Sequence, residues 1–252
     1  MNIYLVDGSP QCFYTAVFSA YADENCTVTS QKNVQLAFDS NVVEVRTDEE
    51  KAERVLKKLR RFDKHAEEEI DLILRRGDAR KEQIALEYLR RIVRLKAPAR
   101  ERLSEPAVIA AMESVRKVRG EIHLMSGFLR FMEGKNGVFY APFESDNDIL
   151  ELLVPHFTAR LKNQPFIIHD TKRNLAALYN QKDCVLVRTD DEVSVELSDY
   201  EEAFQALWIQ YYESVNIAER PHEKQMKGYM PVRYWKYMPE KTKKSLHRLS
   251  AA

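Results

Sequence analysis

The chain of 252 residues carries 39 basic and 39 acidic side chains, so its formal net charge is zero, and 44% of its residues are hydrophobic. This composition excludes intrinsic disorder as the default state and is sufficient for one large domain or two closely packed ones. A zero net charge does not indicate a polyanionic partner, so any argument for one depends on how the charges are distributed.

The cysteines and the first residues bear on the cellular compartment. Cys12, Cys26 and Cys184 are odd in number and widely spaced, which is typical of a reduced protein rather than of a disulfide framework. The start, MNIYLVDGSP, lacks the charged beginning and long apolar run of a signal peptide. No apolar run approaches the roughly 20 residues that a membrane-spanning helix needs. We therefore expect a cytoplasmic protein with no membrane partner.

The first predicted elements are a strand and a helix. NIYLV is the strand, Asp7 and Gly8 turn the chain, and Ser9 caps a helix that has Pro10 at its first position. A set of residues at helical spacing predicts the buried face of this helix: Phe13, Ala16, Val17, Ala20 and Tyr21. A second β-like stretch, VVEVR, follows.

Residues 47–125 are predicted to be mainly helical. A capping box of Thr47 and Glu50 opens the first helix of this block. Further helices are predicted at Glu67 to Arg76 and Ala79 to Lys96, and Ser104 with Pro106 opens one that continues past Gly120.

Residues 126–215 are predicted to be rich in strands. GFLRFMEGKNGVFYAPFE has the pattern of a β-hairpin, SDNDILELLVPHFTARL that of a helix broken or kinked at Pro155, and PFIIHD, LAALY and CVLVR those of strands. Ser198 with Glu201 caps a last helix, which carries Tyr200, Phe204, Leu207, Trp208 and Tyr211 on one side. The order of elements predicts an α+β fold, in which a helical block accompanies an antiparallel sheet covered by helices. We expect one compact unit over 1–252, ending in a basic aromatic segment, 216–252.

Motifs for metals, nucleotides and nucleophiles are missing from the sequence. The cysteines form no close pair and the six histidines are scattered, so no metal or iron–sulfur site is predicted. The seven glycines form neither G-x-x-x-x-G-K nor G-x-G-x-x-G, and no G-x-S-x-G occurs. We predict no cofactor, and these motifs leave open whether the protein is an enzyme.

Three side chains are candidates for catalysis on their residue type and position. His123 and His156 could each act as a general base or donate to a phosphate, although a histidine beside apolar residues is more often a hydrogen-bonded packing residue. Asp7, at a strand-to-helix turn, has the position of a turn or capping residue, with catalysis as the alternative.

The segment YMPVRYWKYMPEKTKK, residues 229–244, combines rings and cations. From Lys224 to the C-terminus, eight Lys or Arg stand against the single acid Glu240, a net charge of +7. Rings interleaved with cations are what phosphate contact and base stacking require. The nucleic-acid-binding candidates are therefore Arg233, Tyr234, Trp235, Lys236 and Tyr237. Alternatively, the rings clamp the segment onto the core with their polar tips in water.

The chain resembles a bacterial family of unknown biochemical activity that is described as DNA-metabolism or DNA-repair proteins. The resemblance lies in YLVDGSPQCFYTAVFSAY, TDEEKAERVLKKL, SGFLRF, YAPFESDNDILELLVPHF and, most specifically, PVRYWKYMPE. It covers nearly the whole chain. The matching positions are Asp7, Gly8, Phe13, His123, Gly127, Phe128, Arg130, Phe131, Tyr140, Pro142, Asp146, Pro155, His156, Phe157, Pro231, Arg233, Tyr234, Trp235, Lys236 and Pro239.

This resemblance implies a DNA context without implying a reaction. Members are paired with a radical S-adenosylmethionine (radical SAM) protein of DNA metabolism, and a related domain is fused behind a uracil-DNA glycosylase-like domain. Arg130, a matching position, joins the nucleic-acid-binding candidates. Asn147 stands where the family often has histidine, which argues against a catalytic base there. The chain lacks the C-x-x-x-C-x-x-C pattern of a radical SAM enzyme and would be its companion.

Three functions remain open at this point. The first is a DNA-binding accessory that acts with the radical SAM partner. The second is a DNA-repair enzyme, a nuclease or glycosylase, with a site near His123, Asp146 and His156. The third is a protein-interaction module that makes no contact with DNA. The missing metal and nucleophile motifs favour the accessory.

Overall fold

The structure is a computed structural model that describes residues 1–31, 40–189, 195–215 and 223–241. The chain divides into two compact units, the first comprising Met1–Gly120 with Asp146–Asp148 and the second Glu121–Ser145 with Ile149–Ala252. The fold is α+β, as the sequence predicts. Within the described ranges, no helix combines the length and the apolar character that crossing a membrane requires.

The first unit begins with a parallel sheet and continues with helices. Its elements are β1 (Asn2–Leu5), α1 (Pro10–Ala20), β2 (Cys26–Thr29), β3 (Asn41–Glu44), α2 (Glu49–Phe62), α3 (Ala66–Leu74), α4 (Lys81–Leu95) and the start of α5 (Pro106–Phe128). The strand order is β2-β1-β3, with Asn2 opposite both Cys26 and Asn41. The sequence predicts β1 and β3 but not β2 or the parallel pairing.

Two helix starts in this unit can be compared with their predictions. Ser9 caps α1 as predicted, since its hydroxyl accepts from the Cys12 N–H at 3.2 Å. The capping box predicted for α2 is wrong, because Asp48 is the cap and its carboxylate accepts from the Lys51 N–H at 3.1 Å. The predicted inner face of α1 is buried except for Tyr21, which is exposed.

The second unit is built on a five-stranded sheet in the order β4-β5-β6-β7-β8. Its elements after α5 are β4 (Met132–Glu133), β5 (Phe139–Phe143), α6 (Leu150–Arg160), β6 (Phe166–Asp170), β7 (Leu175–Tyr179), β8 (Cys184–Arg188), α7 (Glu201–Ser214), α8 (Glu223–Tyr229) and a 3₁₀ helix (Val232–Tyr237). The sheet is antiparallel except between β5 and β6, which are parallel because α6 forms the crossover that joins them.

The predicted hairpin is present, and the predicted cap of the last helix is not. β4 and β5 pair across a turn in which the Gly134 N–H donates to the Val138 carbonyl at 3.0 Å. Ser198 does not cap α7, because its hydroxyl donates to the Glu133 carboxylate at 3.2 Å. Glu201 instead accepts from the Glu133 N–H at 2.9 Å. Helix α6 continues through Pro155, so the break predicted there is absent.

Candidate nucleic-acid interface

The 3₁₀ helix Val232–Tyr237 contains all five ring and cation candidates from the C-terminal segment. Pro231 precedes it with φ −55°, and its carbonyl accepts from the Tyr234 N–H at 3.1 Å. The helix ends where the Met238 N–H donates to the Trp235 carbonyl at 3.0 Å. In a 3₁₀ helix, side chains three residues apart lie one above the other. Arg233 and Lys236 therefore share one face, and Tyr234 and Tyr237 share another.

Tyr234 is the buried ring of this helix, at 4% exposure. Its hydroxyl donates to a Glu121 carboxylate oxygen at 2.7 Å and accepts from the Arg233 guanidinium at 2.7 Å. Its ring centroid lies 6.4 Å from that of Phe128. Burial, reinforced by the bond to Glu121, raises the pKa of Tyr234. Tyr234 therefore anchors the helix, and its ring has no free face for stacking on a base.

Trp235 and Tyr237 are half-buried and use their polar atoms within the protein. The Trp235 indole N–H donates to the Met230 carbonyl at 3.0 Å. The Tyr237 hydroxyl shares a hydrogen bond of 2.8 Å with Thr171, in which either oxygen could be the donor. The Tyr237 bond ties the segment to Thr171, which is the kind of contact that the clamp alternative describes, whereas the Trp235 bond is internal to the segment.

Arg233 and Lys236 are the two exposed cations of the helix, with side chains 51% and 53% exposed. Three residues apart, they share one face. Each has a carboxylate nearby: Arg233 lies 3.9 Å from Glu121, and the Lys236 ammonium is hydrogen-bonded to Glu144. The Lys236 hydrogen bond holds the pKa of Glu144 below its usual value, against the opposing effect of burial. Any phosphate at this face competes with Glu144 for Lys236.

Arg130 follows helix α5 and contacts the residues just after the 3₁₀ helix. Its guanidinium donates to one oxygen of the buried Glu240 carboxylate at 2.6 and 3.1 Å, and it also lies over the Trp208 ring, 5.2 Å from its centroid. Burial is the largest single influence and opposes ionisation of Glu240, but the Arg130 hydrogen bonds and charge, together with further hydrogen bonds, outweigh it, so the pKa of Glu240 lies below its usual value. The charge of Arg130 is therefore already neutralised inside the second unit.

The catalytic candidates are on different elements. His123 on α5 and His156 on α6 are both exposed, and the His156 ring meets Phe157 edge-on at 4.8 Å. Asp146 is exposed and belongs to the first unit. Among the residues that the structure describes, no three or more His, Cys, Asp or Glu side chains are grouped as a metal site would require.

Asn147 and Asp7 both bond to backbone N–H groups. Asn147 is buried, and its side-chain oxygen accepts from the Gly77 N–H at 3.2 Å. The Asp7 carboxylate accepts from the Ser9 N–H at 2.8 Å, and hydrogen bonding by Ser9 keeps its pKa low. These contacts are those of turn residues.

Sequence reasoning missed the acidic partners of the segment and the burial of one of its cations. Lys241 is buried: its ammonium donates to the Tyr212 hydroxyl and lies 5.1 Å from the Trp235 ring centroid. Glu121 and Glu144 lie more than 90 residues before the side chains they contact. No local pattern could have revealed these pairs.

A second feature of this unit is a groove of about 730 Å³, called here the aromatic groove. Its lining includes Phe131, Phe157, Phe204, Trp208, Arg130 and Arg160. Phe204 and Trp208 come from α7, and the side of α7 that carries them is exposed, including Tyr200, Leu207 and Tyr211. Sequence reasoning places these five residues on one side of a helix without assigning that side a role.

Comparison with known proteins identifies the family. Residues 79–240 match DUF4130, a domain of unknown function. A search of curated proteins finds no significant match. Since the match covers more than half of the chain, the protein belongs to the DUF4130 family.

Proposed function

We propose that this protein is a DNA-binding accessory in DNA metabolism or repair, and that Arg233 and Lys236 contact the phosphate backbone. The observation that supports this is the division of the 3₁₀ helix into an exposed cationic face and a ring-bearing face held by the protein. Phosphate contacts need accessible Lys or Arg side chains at a fixed position. The buried ring of Tyr234, between the two cations in sequence, holds their backbone in place.

The two cations can exchange their present partners for phosphates at small cost. Lys236 pairs with Glu144 at the surface, where such pairs contribute at most about 1 kcal/mol. Arg233 lies 3.9 Å from the buried Glu121, at the limit of an ion pair, and its own side chain is 51% exposed. If each cation meets one phosphate, the pair adds about −1.8 to the slope of log affinity against log salt on duplex DNA, or about −1.4 on single strands. Lys236 must break its bond to Glu144 before it can contact a phosphate. This cost lowers the DNA affinity but does not change the slope of log affinity against log salt.

The proposal includes a radical SAM protein of DNA metabolism as the partner. This part rests on the family resemblance and on the absence of a C-x-x-x-C-x-x-C pattern from the chain. In this arrangement the partner carries out the redox chemistry, and the present chain holds the DNA.

Fluorescence anisotropy of labelled oligonucleotides across a salt series tests the DNA contact. We expect Arg233→Ala with Lys236→Ala to weaken binding and flatten the salt slope by about the amounts given above, with little change in Tm. The matched control is Lys182→Ala with Arg188→Ala, which removes one exposed Lys and one exposed Arg from the β7–β8 hairpin of the same unit. Equal DNA affinity of the two variants would contradict the contact assigned to Arg233 and Lys236. If the wild type does not bind DNA even at low salt, the proposal that the isolated protein binds DNA is refuted.

A further inference from the structure

The aromatic groove lies within the second unit and has rings on more than one wall. Phe131 follows α5, Phe157 is on α6, and Phe204 and Trp208 are on α7. Phe131 meets Phe157 edge-on at 5.1 Å between centroids. A volume of about 730 Å³ is within the range of small-molecule pockets, which are mostly apolar with a few polar groups.

The rings from α7 are exposed to solvent at the groove. Phe204 is 64% exposed and Trp208 is 39% exposed. Contiguous apolar surface of this kind on a soluble protein marks a binding site more often than chance. A flat ring that stacks on Phe204 or Trp208 would remove this surface from water.

The charges that line the groove suit a neutral ligand group. The lining contains two cations, Arg130 and Arg160, and two acids, Glu133 and Glu201, and Arg130 is already paired with Glu240. Glu201 is occupied, because its two oxygens accept from the Glu133 N–H and from the Gln205 amide. A phosphate gains no net attraction in such a groove, whereas a nucleobase is uncharged and planar and its edge can bond to amides and carboxylates.

The groove is close along the chain to the cationic face that we assign to phosphates. Pro239 lines the groove and lies three residues after Lys236. Three residues span at most about 11 Å, so a phosphate at Lys236 and a base in the groove can belong to neighbouring nucleotides. We infer that the aromatic groove takes an unpaired base of a single-stranded nucleic acid, stacked on Phe204 or Trp208. This inference rests on the proposed function.

Two oligonucleotide probes separate base binding from backbone binding. Oligothymidylate and an abasic oligonucleotide of the same length carry the same phosphates, but only the first has bases. We expect Phe204→Ala to weaken oligothymidylate binding about tenfold, the effect of losing one stacking contact, and to leave abasic binding and both salt slopes unchanged. Leu186→Ala, which truncates an exposed apolar side chain on β8, is the control and should change neither.

Tryptophan fluorescence reports directly on the groove. The chain has two tryptophans, so Trp235→Phe leaves Trp208 as the only one. We expect oligothymidylate, but not the abasic probe, to quench Trp208.

The outcomes distinguish the two claims. If the wild type binds neither probe at low salt, the proposed function fails. If it binds both probes equally and Phe204→Ala changes nothing, backbone binding stands and the groove inference is overturned. If Phe204→Ala instead dissociates a dimer in sedimentation without affecting oligothymidylate binding, the groove is a protein interface and the inference is also overturned.

Discussion

Tyr234 links Arg233, an exposed cation of the 3₁₀ helix, to a buried acid. Its hydroxyl accepts from Arg233 and donates to Glu121, so one oxygen fixes two charged groups. Tyr234→Phe removes that oxygen and leaves the buried Glu121 carboxylate with one donor fewer. We expect the free energy of unfolding to fall by about 1–3 kcal/mol, measured by urea denaturation. Tyr229→Phe, at an exposed ring, is the control and should fall within about 0.5 kcal/mol of the wild type.

Glu144 restrains the proposed phosphate contact. Its carboxylate bonds to Lys236 and lies within hydrogen-bond distance of the Tyr237 and Thr171 hydroxyls. Glu144→Gln removes the charge that competes with a phosphate, so we expect DNA affinity to rise, by about twofold to fivefold for a surface pair of this kind. Asp183→Asn removes an acid from the β7–β8 turn and serves as the control. Weaker DNA binding by Glu144→Gln would mean that Glu144 positions Lys236 rather than competing for it.

His169 should make stability depend on pH. It is buried, with its ring nitrogens hydrogen-bonded to the Tyr140 and Thr189 hydroxyls. Burial lowers the pKa of His169, although the neighbouring Asp170 charge acts in the opposite direction. Below the ordinary pKa of 6.5 the unfolded chain therefore binds a proton that the folded chain resists, and stability falls as the pH falls, by at most about 1.4 kcal/mol per pH unit.

Thermal melts between neutral pH and the lowered pKa check this expectation. The Tm of the wild type should fall over this range, and the Tm of His169→Gln should fall less. The exposed Gln164 is the control, because Gln164→Ala removes no titrating group and should leave the pH dependence of the wild type unchanged. Parallel curves for all three proteins would refute the role of His169.

At the scale of single residues, the sequence predicts what local chemistry decides. Ser9 and Pro10 start α1 because both effects operate within a few residues. The bonds of Tyr234 to Glu121 and of Arg130 to Glu240 join residues 113 and 110 positions apart. Such pairs depend on the tertiary fold, so the ring and cation candidates could be identified from sequence, but not the acids that hold them.

At the scale of elements, the strand that the sequence does not predict is β2. Its four residues, CTVT, contain no apolar run, whereas the equally short β1 and β3 lie in the runs NIYLV and VVEVR. The parallel β5–β6 pair follows from α6 lying between them, a crossover that an antiparallel expectation leaves out. The cap of α7 was misassigned because Ser198 and Glu201 bond instead to Glu133, on β4.

The turn after α3 gives a prediction at this scale. A side chain at Gly77 would collide with the Asp146 carbonyl oxygen, which is backbone and cannot rotate away. The same turn is closed by the Asp148 N–H donating to the Arg75 carbonyl at 2.8 Å. Gly77→Ala should therefore destabilise the protein by about 1–3 kcal/mol, the range for overpacking.

A second glycine provides the matched control. Gly120 is exposed within α5 and has no atom near its missing side chain. Gly120→Ala should stabilise the helix by about 0.5–1 kcal/mol. The free energies of unfolding of the two variants, measured by urea denaturation, should thus change in opposite directions. A stabilising effect of Gly77→Ala would contradict the collision.

At the scale of the whole molecule, the zero net charge conceals an uneven distribution. The +7 from Lys224 onward is balanced by −7 before it. The described part of that segment does not expose all of its cations, since Lys241 is buried against Tyr212 and Trp235. Lys243, Lys244 and Arg248 lie outside the described residues. Counting charges from sequence therefore overstates the cationic surface. Among the described cations of the segment, Lys224, Lys227, Arg233 and Lys236 are exposed, and the last two are the ones on the 3₁₀ helix.

The three residues Asp146–Asp148 restrict how this protein can be cut or rebuilt. They belong to the first unit, while the chain before and after them belongs to the second. A fragment that ends at Gly120 lacks the Asp148 N–H that bonds to Arg75 and the Asn147 oxygen that bonds to the Gly77 N–H. No single cleavage point therefore yields two complete halves. Split reporters, circular permutants and inserted tags should spare residues 145–149, and the exposed turn between β7 and β8 is the safer place for an insertion.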